Sequence, residues 1–115
     1  MSLFITSLNS GSNGNCYYIG NDQDAILIDA GLSCRETVKR MNDLKLSMDR
    51  VRALFISHEH RDHITGAAQL SKQFRMPVYI LPDTLKNAEM RIEPTLKHTF
   101  IANEKTVVGS MTVMP

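Results

Sequence analysis

The apolar positions of this chain fall in short blocks separated by clusters of Gly, Asn, Asp and Ser. "LFITSL" (3–8) and "CYYIG" (16–20) are rich in apolar, β-branched and aromatic residues and predict two strands. The intervening "NSGSNGN" (9–15) supplies residue types that adopt the positive φ angles of tight turns. "NDQD" (21–24) marks another turn, and "AILID" (25–29) predicts a third strand whose unbroken apolar run implies burial on both faces. "RALFIS" (52–57) has the same character and predicts a central strand. "PVYIL" (77–81) predicts a fifth.

Helical spacing separates these blocks. Ser33 with Glu36 three residues later forms a capping box, and Val38, Met41 and Leu44 continue an apolar stripe. Ala67, Leu70 and Phe74 mark one face of a second helix that ends before Pro77. Pro82 and Asp83 predict the first turn of a short helix reaching Met90. The tail, "HTFIA" (98–102), "KTVVG" (105–109) and "MTVMP" (111–115), alternates and predicts a β meander. Strands come first and then alternate with helices, so the fold class is α/β (α+β): a mixed β-sheet with helices on at least one face.

Length and composition narrow the picture without redirecting it. A chain of 115 residues makes one modest domain, and 43% hydrophobic with 22% charged residues is a globular rather than a disordered composition. No apolar run is long enough to span a bilayer, and the opening "MSLFITSLNSG" lacks a basic flank and is interrupted by Thr6 and Ser7. A cytoplasmic protein with no membrane partner is the expectation. The net charge of +1 lacks the basic excess that usually announces nucleic-acid binding, although a local patch can suffice. "RETVKRMNDLKLSMDRVR" (35–52) reads as a solvated helix face. Cys16 and Cys34 match no CxxC spacing and read as two buried or half-buried thiols, with a disulfide or joint metal ligation as the lesser alternative.

The chemistry concentrates in "SHEHRDH" (57–63), directly after an apolar strand. His58 and His60 are two apart, so in an extended segment both point the same way. Asp62 and His63 follow where the chain turns towards a helix. Imidazole and carboxylate are ligands preferred by zinc, iron and manganese, and this density lets one loop serve two adjacent ions. His98 lies outside any ligand spacing and reads as a surface or partly packed histidine.

"SHEHRDH" resembles the H-x-H-x-D-H signature of the metallo-β-lactamase fold, and "LIDAG" (27–31) resembles that superfamily's earlier aspartate motif. "SLNSGSNGNCYYI" (7–19) further resembles the opening of the YycJ-like (WalJ) branch, bacterial proteins related to DNA exonucleases. The resemblance implies that residues 1–115 are the N-terminal part of one four-layer αββα sandwich domain, with the C-terminal half absent. It implies two divalent metal ions, zinc first, with manganese or iron as alternatives. His58 and His60 would hold one, and Asp62 and His63 the other, with Asp62 also in a catalytic role. Asp29 would lie beneath the site and orient a ligand histidine through a hydrogen bond, or would simply satisfy turn amides at its strand end. Ser12, Asn13 and Asn15 would contact substrate phosphate, unless their loop is a plain hairpin turn.

The implied function is a metal-dependent phosphodiesterase or nuclease acting on DNA. The alternatives are a hydrolase of a small ester, thioester or cyclic phosphodiester, and a non-enzymatic half-fold that serves in assembly. The further histidine, bridging aspartate and late histidine of the superfamily do not follow His63. The 115-residue chain is therefore expected to be inactive by itself, and to pair with a second copy or with the missing half.

Overall fold

The computed structural model describes residues 3–9, 14–57, 66–80, 91–100 and 104–114. Among them the strands are β1 (Phe4–Asn9), β2 (Cys16–Gly20), β3 (Ala25–Ile28), β4 (Val51–Ile56), β5 (Val78–Ile80), β6 (Lys97–Thr99), β7 (Thr106–Val108) and β8 (Met111–Val113). Helix α1 spans Cys34–Asp43, a 3-10 turn spans Met48–Arg50, and helix α2 spans Ala67–Phe74. The helix expected from Pro82 to Met90 lies outside the described residues.

β1 to β6 form one mixed sheet in sequence order, with β1–β2 and β2–β3 antiparallel and β3–β4, β4–β5 and β5–β6 parallel. The two strands with unbroken apolar runs, β3 and β4, sit side by side in the middle. Period-two alternation divides their side chains between two cores. Leu27, Leu54, Ile56, Val78 and Ile80 face Met41 of α1 and Ala67 and Leu70 of α2. Ile26, Ala53 and Phe55 face the other way and are covered by Phe100, Val108 and Met111. On that second face Phe55, Tyr79 and His98 stack across three neighbouring strands with ring centroids 4.9 Å apart at each step. His98 is thus a surface residue packed by one ring face.

The sequence expectations hold for β1 to β5 and for both helices. Ser33 caps α1, its hydroxyl accepting from the Glu36 N–H at 3.1 Å. The return half of the capping box is missing, because the Glu36 carboxylate turns forward to Arg40. Leu44 leaves the expected apolar stripe: α1 stops at Asp43, Lys45 adopts φ 59°, and Leu44 is 48% exposed at the helix end. Helix α2 stops where Arg75 takes the left-handed conformation (φ 52°), its N–H bonded to the Ser71 carbonyl, so that the chain turns before Pro77.

The tail is not a three-stranded meander. β6 adds to the large sheet parallel to β5, while only β7 and β8 pair as a hairpin. The hairpin docks on the second sheet face and is pinned at its turn. Ser110 donates from its N–H (2.8 Å) and hydroxyl (2.6 Å) to Asp24, which also receives Arg52, and Asn21 donates to the Ser110 hydroxyl at 3.0 Å. Gly109 (φ 58°) is needed there, since a Cβ would stand 2.7 Å from the Asp24 carboxylate. Among the described residues no helix is long and apolar enough to cross a membrane. Leu3, Ile5, Val107 and Met114 are large apolar side chains left mostly exposed.

Candidate functional site

The carboxyl ends of parallel strands are where open α/β sheets collect ligands, because the chain leaves each strand there into a loop. Here that edge is organised by the four residues after β3: Asp29, Ala30, Gly31 and Leu32. Asp29 continues the ladder to β4 by donating its N–H to the Phe55 carbonyl at 2.7 Å, then breaks it with φ 64°. Aspartate is among the few non-glycine residues that enter the left-handed region readily, because its short side chain bonds locally.

Asp29 is buried, with 3% of the residue exposed. A charge so buried is tolerated only with hydrogen bonds, and Ser57 supplies them. The Ser57 N–H donates to Oδ1 at 2.8 Å, and its hydroxyl lies 2.9 Å from Oδ1 and 2.7 Å from Oδ2. Ser57 directly precedes His58 in the chain. Asp29 does satisfy a backbone amide, as its bland reading expected, but across to the end of β4 rather than within its own turn. Sequence reading missed Ser57 as a partner; its only signal was its place between the apolar strand and the first histidine.

Two further segments close on the same turn. Gly31 donates its N–H to the Asn15 carbonyl at 2.8 Å, and a Cβ on Gly14 (φ 109°) would stand 2.5 Å from the Gly31 carbonyl oxygen. Gly66 donates to the Ala30 carbonyl at 2.7 Å, and a Cβ on it would stand 2.2 Å from the Leu32 oxygen. The described residues that flank 10–13 on one side and 58–65 on both sides therefore rest on one short turn. Of the residues singled out by sequence, Asp29 and Asn15 belong to this platform. Ser12, Asn13, His58, His60, Asp62 and His63 lie outside the described residues. Among the described residues no three His, Cys, Asp or Glu side chains converge as a metal cluster.

Cys16 and Cys34 are both free thiols and both buried, as expected. Burial pushes the Cys16 thiol up to about 12; the Asp29 carboxylate adds to this and the Arg40 guanidinium opposes it. Cys16 is therefore held as a neutral, packed thiol beneath the platform. The donor chemistry of the segment following Ser57, three imidazoles and two carboxylates, is that taken by zinc.

Comparison with known proteins agrees with this geometry. Residues 10–107 match the Metallo-beta-lactamase superfamily. The chain is 39% identical over 79 residues to exodeoxyribonuclease YycJ of Bacillus anthracis, covering 69% of this chain and 30% of that protein. It is 28% identical over 111 residues to exodeoxyribonuclease WalJ of Streptococcus pneumoniae R6, covering 92% and 41%. The chain thus spans about a third to two fifths of the length of these relatives. A B3 metallo-β-lactamase with an active-site glutamic acid superposes with a TM-score of 0.77 at 14% identity, over 94% of this chain and 47% of that one, a likeness of fold. With a mixed sheet backed by two helices, an Asp-Ala-Gly turn at its carboxyl edge and a match over most of its length, the chain belongs to the metallo-β-lactamase superfamily.

Proposed function

We propose that the protein is a metal-dependent hydrolase that cleaves phosphodiester bonds in DNA. The observation that carries this reading is the buried Asp29 carboxylate fixed on Ser57, the residue immediately before the His58–His63 segment. A carboxylate so placed is suited to orient an imidazole ligand and raise its basicity. In this reading His58 and His60 hold one divalent ion, and Asp62 and His63 a second. When bound, the ions lower the pKa of water and stabilise charge developing at phosphorus.

The chain's own residues do the positioning. Asp62, besides serving as a ligand, would accept a proton from the attacking water or orient that water. Ser12, Asn13 and Asn15 contact the substrate's phosphate. The names of the two exodeoxyribonuclease relatives support DNA as the substrate class.

The test uses the whole protein with zinc or manganese and an end-labelled DNA oligonucleotide. Progressive shortening of the oligonucleotide is expected, and Asp62→Asn should slow it by roughly 10²–10⁴-fold. Cleavage of a small thioester with no action on DNA would overturn the substrate assignment. Metal-independent turnover would overturn the mechanism.

A further inference from the structure

Arg40 was grouped by sequence with a solvated helix face, and its ion pair with Glu36 four residues earlier (3.0 Å, both side chains 38% exposed) is a surface feature of small energetic weight. The rest of its guanidinium does something else. Nη1 donates to the Leu8 carbonyl at 2.8 Å and to Asn9 Oδ1 at 3.1 Å, both at the end of β1. With Oδ1 committed to a cation, the Asn9 amide can only present Nδ2 on its other side, where it donates to the Gly14 carbonyl. Gly14 packs on Gly31, and the next residue, Asn15, accepts the Gly31 N–H. Gly31 belongs to the turn that holds Asp29 against Ser57.

We propose that Arg40 is a positioning residue for the candidate site, acting through Asn9 and Gly14 on the Gly31 turn and so on the Asp29–Ser57 pair. An arginine suits this task where a lysine does not. The planar fork reaches Glu36 with Nε while Nη1 serves two acceptors, whereas an ammonium is a single flexible point charge. Three elements, α1, the end of β1 and the turn after β3, are thereby locked in one arrangement by a single side chain. The proposal rests on the metal reading above only for its effect on affinity; the effect on the turn stands by itself.

The test compares wild type with Arg40→Lys, Arg40→Met, Asn9→Ala and the Arg40→Met/Asn9→Ala double variant. Amide hydrogen exchange of the metal-free proteins is read at Gly31, with β4 amides as the control for global stability. Zinc affinity is read separately by chelator competition. Gly31 exchange is expected to accelerate roughly tenfold in Arg40→Met and Asn9→Ala. The double variant should be no worse than the poorer single one, since both break one chain of contacts. Zinc affinity should fall by about tenfold in the same variants. Arg40→Lys, which keeps the charge and stem, should accelerate Gly31 nearly as much while leaving the β4 amides unchanged; it serves if Arg40→Met fails to fold. Unchanged Gly31 exchange in Arg40→Lys and Asn9→Ala, or additive effects in the double variant, would overturn the proposal. Failure of the wild type to bind zinc would overturn the metal reading alone, with Gly31 exchange still deciding the role of Arg40.

Discussion

Replacing Asp29 separates two contributions that its position combines. Asp29→Ala removes the acceptor of the Ser57 N–H and hydroxyl bonds at 2.7–2.9 Å and leaves a non-glycine, non-polar residue at φ 64°. Ser57 is half-buried, so its abandoned N–H costs about 1–3 kcal/mol, and left-handed geometry costs alanine about 1–2 kcal/mol. The expected loss is about 2–5 kcal/mol. Asp29→Gly relieves the backbone but not the amide, and should cost about 1–3 kcal/mol. Asp29→Asn keeps an oxygen for the Ser57 N–H and tolerates the left-handed region, so it should cost about 1 kcal/mol. Reversible urea unfolding followed by far-ultraviolet circular dichroism gives all three values from midpoints at constant slope. The ranking Asn above Gly above Ala is the signature. Equal stability of the three variants would refute the account, because neither the hydrogen bonds nor the strain would then be felt.

Other outcomes follow from the same geometry. Gly66→Ala places a Cβ 2.2 Å from the Leu32 carbonyl oxygen, so backbone must move, and a loss of about 1–3 kcal/mol in urea titration is expected. Bonds from Ser110 and then Arg52 lower the Asp24 pKa from 3.8 to about 2. Its contribution to stability is therefore complete above about pH 4 and lost as pH falls towards 2. Asp24→Asn should weaken the fold near neutrality and flatten its stability across that acid window; an unchanged pH profile would contradict the assignment. Cys16, with its thiol near 12, should resist iodoacetamide at pH 8 in the native protein and react only on unfolding, as mass spectrometry of the alkylated peptide would show.

The parts legible in the sequence were those governed by local pattern. Apolar runs located β3 and β4 and the two faces they bury, the Ser33 cap fixed the start of α1, and Pro77 marked the limit of α2. Asp29 was singled out by its motif and lies on the site platform. What escaped was set by contacts remote in sequence. β6 carries exposed His98 and Thr99, so nothing in its own pattern distinguishes an added parallel strand from one arm of a meander. Arg40 has the composition of a solvent-facing residue and shows its role only once β1 lies beside α1. Ser57 and Asp29 are 28 residues apart, and only the parallel pairing of β3 with β4 brings them together.

The clasp of Asp24 on Ser110 also has a temporal meaning. Its partners are 86 residues apart, so it closes the longest loop among the side-chain hydrogen bonds of the described residues apart from its neighbour, Asn21 to Ser110. A hairpin such as β7–β8 forms on its own in about 1–10 μs. Its docking must wait until β2, β3 and β4 present a surface, because the closure entropy has to be met before the contact rewards it. The hairpin is therefore the late-arriving piece of this fold and the first to leave. Loosening its clasp with Ser110→Ala should quicken unfolding and leave the refolding rate nearly untouched.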